Sequence, residues 1–366
     1  MFKKNFLTLA MSSFLALSII SAPAYASEAN PPVSEDLNDV TSMDNLKLIN
    51  PYIEQYRNEQ NVTNLLNSNR DYLVNPAEEG HIIEATLETY YKKDQQVAQI
   101  LETISGDQSI REKTLSLVKE DKIDIMHEIE KYYQNLPTSD QEVLVGYLDR
   151  YAVSSEDGQA QTFLKQITES KSEISLAAAY NGTAAGDWAY NNYNKYNTNF
   201  PAFNAGWGSD CTNFVSQAMH LGGGKAMEGK WYVYKKNSTY LSPKSASELN
   251  YSWTLADPSP WISVQEFRDY WKPKSTVHSY SRKNYQDNHS TIYNSTIYKG
   301  DVVVFHKGVA GWITTPTHLM IISAYDTSNK DFKLAGHSNE RQALPLLDAI
   351  SPAYGDYDYF EILEIP

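Results

Sequence analysis

Cysteine, positive charge and long hydrophobic runs are scarce in this sequence of 366 residues. A single cysteine excludes an intramolecular disulfide, because one thiol cannot pair with itself. Only 31 Lys and Arg stand against 45 Asp and Glu, a net charge of -14. This balance argues against a nucleic-acid-binding protein, which needs a surplus of positive charge to neutralise phosphates. The most apolar run has about 15 residues, fewer than the ~20 that a membrane-spanning helix requires.

That run has the features of a secretory signal. Lys3 and Lys4 precede the apolar residues Phe6 to Ile20, and Ala24-Tyr25-Ala26 supplies a cleavage site of small residues. We therefore predict that residues 1–26 are a signal peptide. The mature chain is expected to be secreted and to have no transmembrane segment.

The remaining chain divides by composition, and its length predicts about two domains. Residues 27–51 are polar, acidic and contain proline, which predicts a linker. In residues 52–172 apolar side chains recur at helical spacing, which predicts an all-α helical bundle without catalytic chemistry. Helix breaks are expected at four places: Asn75-Pro76, Ser105-Gly106-Asp107, Leu136-Pro137 and Glu156-Asp157-Gly158. The mixed-charge run from Lys119 to Lys122 is typical of a solvated helix face.

Residues 178–366 have a different character. Short β-branched and apolar runs predict strands at 301–305, 318–323, 331–337 and 360–365. A helical part followed by strands predicts an α+β fold. Residues 225–295 are polar and aromatic with few periodic segments, which predicts a functional lid or a surface insertion.

The single cysteine lies where a nucleophile could be activated. A glycine-rich turn precedes Asp210, and a helical pattern follows it as far as Gly222. With Asp210 as a potential N-cap, Cys211 falls in the first helical turn. The free N–H groups and the helix dipole there favour a thiolate and could donate to an oxyanion. The alternative is that Cys211 is a small buried hydrophobe.

A thiolate nucleophile needs a general base. His220 is nine residues beyond the cysteine, about 13.5 Å along the same helix, and cannot reach it. His278 and His289 lie in the polar stretch, and His306 follows a predicted strand. His318 is the best placed, because it opens an apolar strand after a polar loop.

A polar residue can orient this imidazole from the next strand. If the hairpin turns at Thr327 and Ser328, position 318 lies opposite 337, and a turn one residue later places it opposite 339. These two positions share a strand face, so either His337 or Asn339 could orient His318.

These residues resemble a known family. The segment Tyr180 to Ala189, the block Asp210-Cys211-Thr212-Asn213-Phe214-Val215-Ser216-Gln217, the strand Gly300 to Phe305, His318 and Gly336-His337-Ser338-Asn339 carry the resemblance. Together they look like the family described as "Putative amidase domain" of secreted and sporulation-associated Gram-positive proteins. The resemblance covers about residues 178–350, and the family is similar to papain-like cysteine amidases and peptidases of the CHAP and NlpC types.

The resemblance implies a papain-like core, in which a helix carrying Cys211 packs on an antiparallel sheet. It further implies that Cys211 attacks an amide carbonyl, that His318 acts as base and then acid, and that His337 or Asn339 steadies the imidazole. No cofactor is implied. The substrate would be an amide-containing molecule, with peptidoglycan peptides as the one to test, and the protein would be secreted or associated with the cell wall. No side-chain oxyanion donor is evident, since the nearest upstream amide is Asn204.

Two alternatives stay open from the sequence. One is a metal-dependent hydrolase that uses Asp301, His306, His318 and His337, although no H-E-x-x-H or C-x-x-C spacing supports it. The other is a catalytically silent cell-wall-binding module, whose aromatic side chains would line a glycan cleft. The tryptophans available for such a cleft are Trp207, Trp231, Trp253, Trp261, Trp271 and Trp312.

Overall fold

The computed structural model of the protein describes residues 50–63, 76–169, 180–203, 210–355 and 357–366. The predicted signal peptide, nearly all of the predicted linker and the glycine-rich turn before Asp210 lie outside these residues. The described part is a mixture of helices and antiparallel sheet in one compact unit, so the α+β prediction is confirmed. None of the helices in these ranges combines the length and apolar content needed to cross a bilayer.

The first part of the described chain is helical, as the apolar spacing predicts. α2 ends just before Gly106, whose φ of 70° is the left-handed conformation that favours glycine after a helix. The buried side chains of Leu87, Leu101, Ile129 and Leu148 belong to one shared core. The helices are α1 (Pro51–Thr63), α2 (Pro76–Ser105), α3 (Ser109–Thr114), α4 (Lys119–Tyr132), α5 (Thr138–Ser155) and α6 (Gly158–Glu169).

An ionic cluster lies inside this helical core. The Asp94 carboxylate accepts hydrogen bonds from Lys122 Nζ at 2.7 Å and from Arg150 Nη2 at 2.6 Å. The prediction of a solvated face is therefore wrong at Lys122, which is fully buried because Asp94, the Tyr52 hydroxyl and a backbone carbonyl satisfy its ammonium. Burial lowers the pKa of Lys122 to about 8. Burial also opposes the charge of Asp94, but its two cationic partners hold its pKa below the usual value.

The second part is built on a six-stranded antiparallel sheet, in the order β3-β8-β4-β5-β6-β7, with a separate β1–β2 pair. Its strands are β1 (Val233–Lys235), β2 (Trp253–Leu255), β3 (Thr276–Ser281), β4 (Val302–Val309), β5 (Ile313–Asp326), β6 (Asp331–Gly336), β7 (Arg341–Pro345) and β8 (Tyr359–Glu364). Its helices are α7 (Gly182–Asn192), α8 (Asp210–Gln217), α9 (Ala246–Ser252), α10 (Val264–Trp271), α11 (Arg282–Ile292) and α12 (Leu346–Ala349).

The two faces of this sheet are covered by different helices. Val302 and Val304 of β4 belong to a core cluster shared with α7 and α8. Val303 and Phe305 alternate with them and belong to a second cluster, shared with α11 and α12. This alternation follows from the two-residue period of a strand, and it explains why the predicted strand residues are apolar without interruption.

Residues 225–295, predicted as a lid or surface insertion, contribute several large side chains to the core instead. They form three helices and three strands, and they bury four tryptophan side chains: Trp231, Trp253, Trp261 and Trp271. The rings of Trp231 and Trp261 lie 4.8 Å apart, and those of Trp231 and Trp271 lie 5.1 Å apart. The prediction is wrong because burial of large aromatic rings needs no regular apolar spacing along the chain.

The turn between β4 and β5 joins the sheet to the helical core. Val309 and Ile313, at the two ends of this turn, are buried in the same cluster as the helical side chains. Between them, Trp312 Nε1 donates to the carbonyl of Leu117 at 3.0 Å. Arg268 of α10 adds an ion pair to Asp149 of α5, at 2.8 Å. The boundary predicted at residues 172–178 lies outside the described residues.

The buried cluster makes a prediction about stability. Replacing Asp94 with Asn should lower the free energy of unfolding by about 3–5 kcal/mol, because Lys122 and Arg150 then remain buried without a counter-charge. Urea denaturation of the full chain measures the difference. Asp124→Asn is the matched control, since Asp124 pairs with Lys113 at the surface, and it should change stability by less than about 0.5 kcal/mol. Equal effects of the two variants would contradict the assignment.

Candidate active site

Helix α8 places the cysteine in its first turn. The helix begins at Asp210, so Cys211 is its second residue, and both side chains are buried. Asp210 is the first residue of the helix and not the expected N-cap, and its carboxylate accepts hydrogen bonds from the backbone N–H of Phe203 at 3.1 Å and from Asn213 Nδ2 at 2.8 Å. A π-helical turn, Ala218–Gly222, follows α8, a feature that is frequent near functional sites.

The same carboxylate binds His337. Nδ1 of His337 makes a short hydrogen bond to Asp210 Oδ2, and the imidazole is stacked on Phe214 at 4.1 Å between ring centres. Tyr196 lies 4.7 Å from the imidazole centre. His337 Nε2 is buried and has no hydrogen-bond partner within the described ranges. Asp210 therefore fixes the orientation of the His337 imidazole, whose other nitrogen, Nε2, makes no hydrogen bond within the described ranges.

The polar residues of α8 are held by the buried tryptophans. Trp261 Nε1 donates to Asn213 Oδ1 at 3.1 Å, and Trp231 Nε1 donates to Ser216 Oγ at 3.0 Å. Asn213 in turn donates to Asp210, so the helix start is fixed by a chain of hydrogen bonds. Trp231 and Trp261 therefore do not line a glycan cleft. Trp253 and Trp271 are likewise buried, Trp312 is bonded to the helical core, and Trp207 lies outside the described residues.

His318 is buried in β5, opposite Phe305 of β4, whose ring centre is 6.0 Å from the imidazole. Its Nδ1 has no hydrogen-bond partner among the residues that the structure describes. Burial lowers the pKa of His318 to about 3. The imidazole is therefore neutral at physiological pH, and one of its ring nitrogens carries a lone pair.

The β5–β6 register differs from the expected one. Near the turn, Tyr325 pairs with Phe332, and this register alone would bring residue 339 opposite residue 318. An irregularity after Ile322 shifts the register by one residue, so that Ile321 pairs with Ala335. Continued along β5, this register brings 338 opposite 318, and β6 has ended at Gly336. The imidazole of His337 binds Asp210, and the role of His337 or Asn339 as third catalytic group stays a prediction. Ser338, between them, has a φ of 80°, a strained conformation that is frequent at functional sites.

Tyr357 connects the cysteine with the helical part. Its hydroxyl is buried and donates to Glu79 Oε1 of α2 at 3.0 Å. Burial raises the pKa of Tyr357 well above its usual value, and the charges of Glu79 and of a Cys211 thiolate raise it further. A second contact from α2 joins Glu78 Oε1 to the Ser338 hydroxyl at 2.9 Å. Sequence reasoning missed both glutamates, since no motif marks a residue that reaches a site from another part of the chain.

The other histidines of this part have partners away from Cys211. His306 Nε2 is 3.2 Å from Glu361 Oε2, and His220 Nδ1 is 2.8 Å from the carbonyl of Lys225. His278 pairs with Glu364, and His289 with the carbonyl of Lys330. Within the described ranges, no group of three or more His, Cys, Asp or Glu side chains is placed to hold a metal ion.

Comparison with known proteins supports an amidase-like assignment. Residues 179–359 match the model of the family described as "Putative amidase domain". The match includes Asp210, Cys211, His318 and His337, and amide hydrolysis is the activity that this family indicates. A search of curated proteins and a search of solved structures each found no match. The resemblance to this family is confirmed for the matched segment.

The buried imidazole of His318 makes stability depend on pH. The unfolded chain binds a proton at this position below about pH 6.5. The folded chain does so only near pH 3. Stability therefore falls as the pH drops through this range, by at most about 1.4 kcal/mol per pH unit.

We expect wild type to lose about 2 kcal/mol more than His318→Gln between pH 7 and pH 5, in urea denaturation of both proteins. His318→Leu should behave like His318→Gln, because the effect comes from titration. Parallel stability curves for all three proteins would contradict the prediction.

Proposed function

We propose that this protein is a cysteine-dependent amidohydrolase that acts through an acyl-enzyme. The observation that carries the proposal is a pair of buried imidazole nitrogens without hydrogen-bond partners in the described ranges, His318 Nδ1 and His337 Nε2. Each such atom costs about 1–3 kcal/mol of stability, so the pair calls for a functional explanation. His318 lies in β5 and His337 directly after β6, and both strands contact the helix that carries Cys211.

In the proposed reaction, the proton of the Cys211 thiol passes to the His318 imidazole. The sulfur then bonds to the amide carbonyl carbon, and the carbonyl oxygen takes the negative charge. In this proposal, backbone N–H groups at the start of α8 donate to that oxygen. Collapse of the intermediate breaks the carbon–nitrogen bond, and the imidazolium gives its proton to the leaving amine. Water, deprotonated by His318, attacks the thioester and releases a carboxylic acid and the free thiol.

His337 is the proposed third group, with Asn339 as the alternative. Support for His337 comes from its bond to Asp210, which fixes the ring and directs Nε2 away from that carboxylate. The Asp210–His337 pair also has the arrangement of a carboxylate that orients an imidazole. Variants of His318 and His337 are therefore tested separately below.

We propose peptides of the cell wall as the substrate, and secretion or wall association as the location. The support is the signal-like N-terminus at residues 1–26 and the resemblance described above. Removal of this segment takes away Lys3 and Lys4, so the mature charge is -14 − 2 = -16. Such a chain gains no general attraction to a polyanionic wall and would depend on local contacts. A silent wall-binding module is the alternative, and it would bind without hydrolysis.

The nucleophile assignment is tested by Cys211→Ala. We expect hydrolysis of purified peptidoglycan or of model peptide amides to fall by at least about 10³-fold, because no other thiol is present. His318→Gln should lower kcat by about 10²- to 10⁴-fold. His289→Gln, which replaces a histidine bonded to a backbone carbonyl, is the control and should retain activity. Activity that survives Cys211→Ala, or that is lost on chelation and not on thiol alkylation, would overturn the proposal.

The role of Asp210 is tested by Asp210→Asn and His337→Gln, alone and combined. If the carboxylate acts through the imidazole, each variant should lower kcat by about 10²-fold or more, and the double variant should be no worse than the more damaged single one. The KM should change little. Thermal unfolding of each variant accompanies the kinetics. If the double variant stays folded and its loss in kcat equals the product of the two single losses, the two residues act independently.

A further inference from the structure

The candidate nucleophile is enclosed. The relative exposure is 0% for Cys211, 1% for His318 and 2% for His337. An amide carbonyl must come within about 3–3.5 Å of the thiolate sulfur before it reacts. A peptide therefore cannot reach Cys211 until part of the surrounding protein moves.

The start of α2 contacts residues beside the candidate site. Glu78 bonds the Ser338 hydroxyl at 2.9 Å, directly after His337. Glu79 bonds the Tyr357 hydroxyl at 3.0 Å and lies 3.8 Å from the ammonium of Lys307. We infer that this segment, Glu78 and Glu79 with their contacts, is an autoinhibitory cover that keeps the candidate active site closed until it is displaced. The inference rests on the proposed function for the identity of Cys211 as nucleophile.

The cover also acts through charge. Glu79 and a Cys211 thiolate both raise the pKa of Tyr357, so both negative charges act on the same buried tyrosine. Burial raises the pKa of Glu79 itself, and Lys307 opposes this. A second anion in such a place disfavours the thiolate, because like charges repel strongly where water is excluded. Displacement of the cover would thus expose the thiol and favour its reactive form.

The cover can move without separation of the helical part from the sheet. Other contacts hold these parts together, including the ion pairs of Arg268 with Asp149 and of Lys93 with Asp269. The turn between β4 and β5 remains in the helical core as well. Helix ends open at lower free energy than the core does. Displacement of the first turn of α2 would break the hydrogen bonds of Glu78 to Ser338 and of Glu79 to Tyr357.

The single cysteine makes this inference measurable, since alkylation by iodoacetamide reports on Cys211 alone. The full chain is labelled under native conditions, as wild type and as the double variant Glu78→Gln/Glu79→Gln. We expect the variant to be alkylated about tenfold faster. The matched control is Glu84→Gln/Glu102→Gln, which removes two carboxylates of α2 that bind Arg57 and Arg111 at the surface. Its rate should equal that of wild type.

A double-mutant cycle tests the hydrogen bond between Ser338 and Glu78 that holds the cover. Ser338→Gly removes the hydroxyl that binds Glu78, and glycine suits the φ of 80° at this position. Ser338→Gly and Glu78→Gln should each accelerate alkylation, and together they should have no more effect than one alone.

The outcomes decide the inference. An unchanged rate in Glu78→Gln/Glu79→Gln overturns it, and so does an equal acceleration in the control. Urea denaturation is measured for every variant. A rate that follows global stability across all variants also overturns the inference, because alkylation then reports on unfolding. The proposed function fails separately if Cys211→Ala still hydrolyses amides. In that case the alkylation rates of wild type and of the glutamate variants still decide whether the cover exists.

Discussion

The buried carboxylate of Asp210 holds together the parts of the chain that form the candidate site. It accepts hydrogen bonds from the backbone of Phe203, from Asn213 within α8 and from His337 after β6. A buried carboxylate is stable only when such donors replace its water. The position of Cys211, the next residue, and the orientation of the imidazole therefore depend on the same three bonds. The indole N–H of Trp261 extends this dependence into the core, through Asn213.

Local pattern was sufficient for the fold class and for the helix that carries the cysteine. The α+β class follows from helical spacing in the first part and β-branched runs in the second. Asp210 followed by an apolar helical pattern indicated a helix start, and α8 begins there. The β-branched run before Phe305 indicated a strand, and β4 contains it. These features are set by neighbours in the sequence, which is why a single sequence contains them.

The contacts that complete the site depend on residues far apart in the chain. One irregularity after Ile322 shifts the register by a residue, and no turn pattern in the sequence marks it. Lys122 belongs to a run of mixed charge, yet it is buried because its partner, Asp94, comes from another helix. Glu78 and Glu79 are ordinary first-turn acids of a long helix, and only the tertiary fold brings them to Ser338 and Tyr357. Pairing of this kind requires the three-dimensional arrangement.

The turn between β4 and β5 has a consequence for how the chain can be divided. These two strands are the central pair of the sheet, and their connection places Val309, Trp312 and Ile313 among the helices. If residues 179–359 were produced alone, the side chains of Val309 and Ile313 would meet water, at about 1.5–3 kcal/mol for each. The helices that precede the segment with the family match thus supply part of the hydrophobic core that this segment needs. An evolutionary exchange of either part would have to preserve this shared apolar contact.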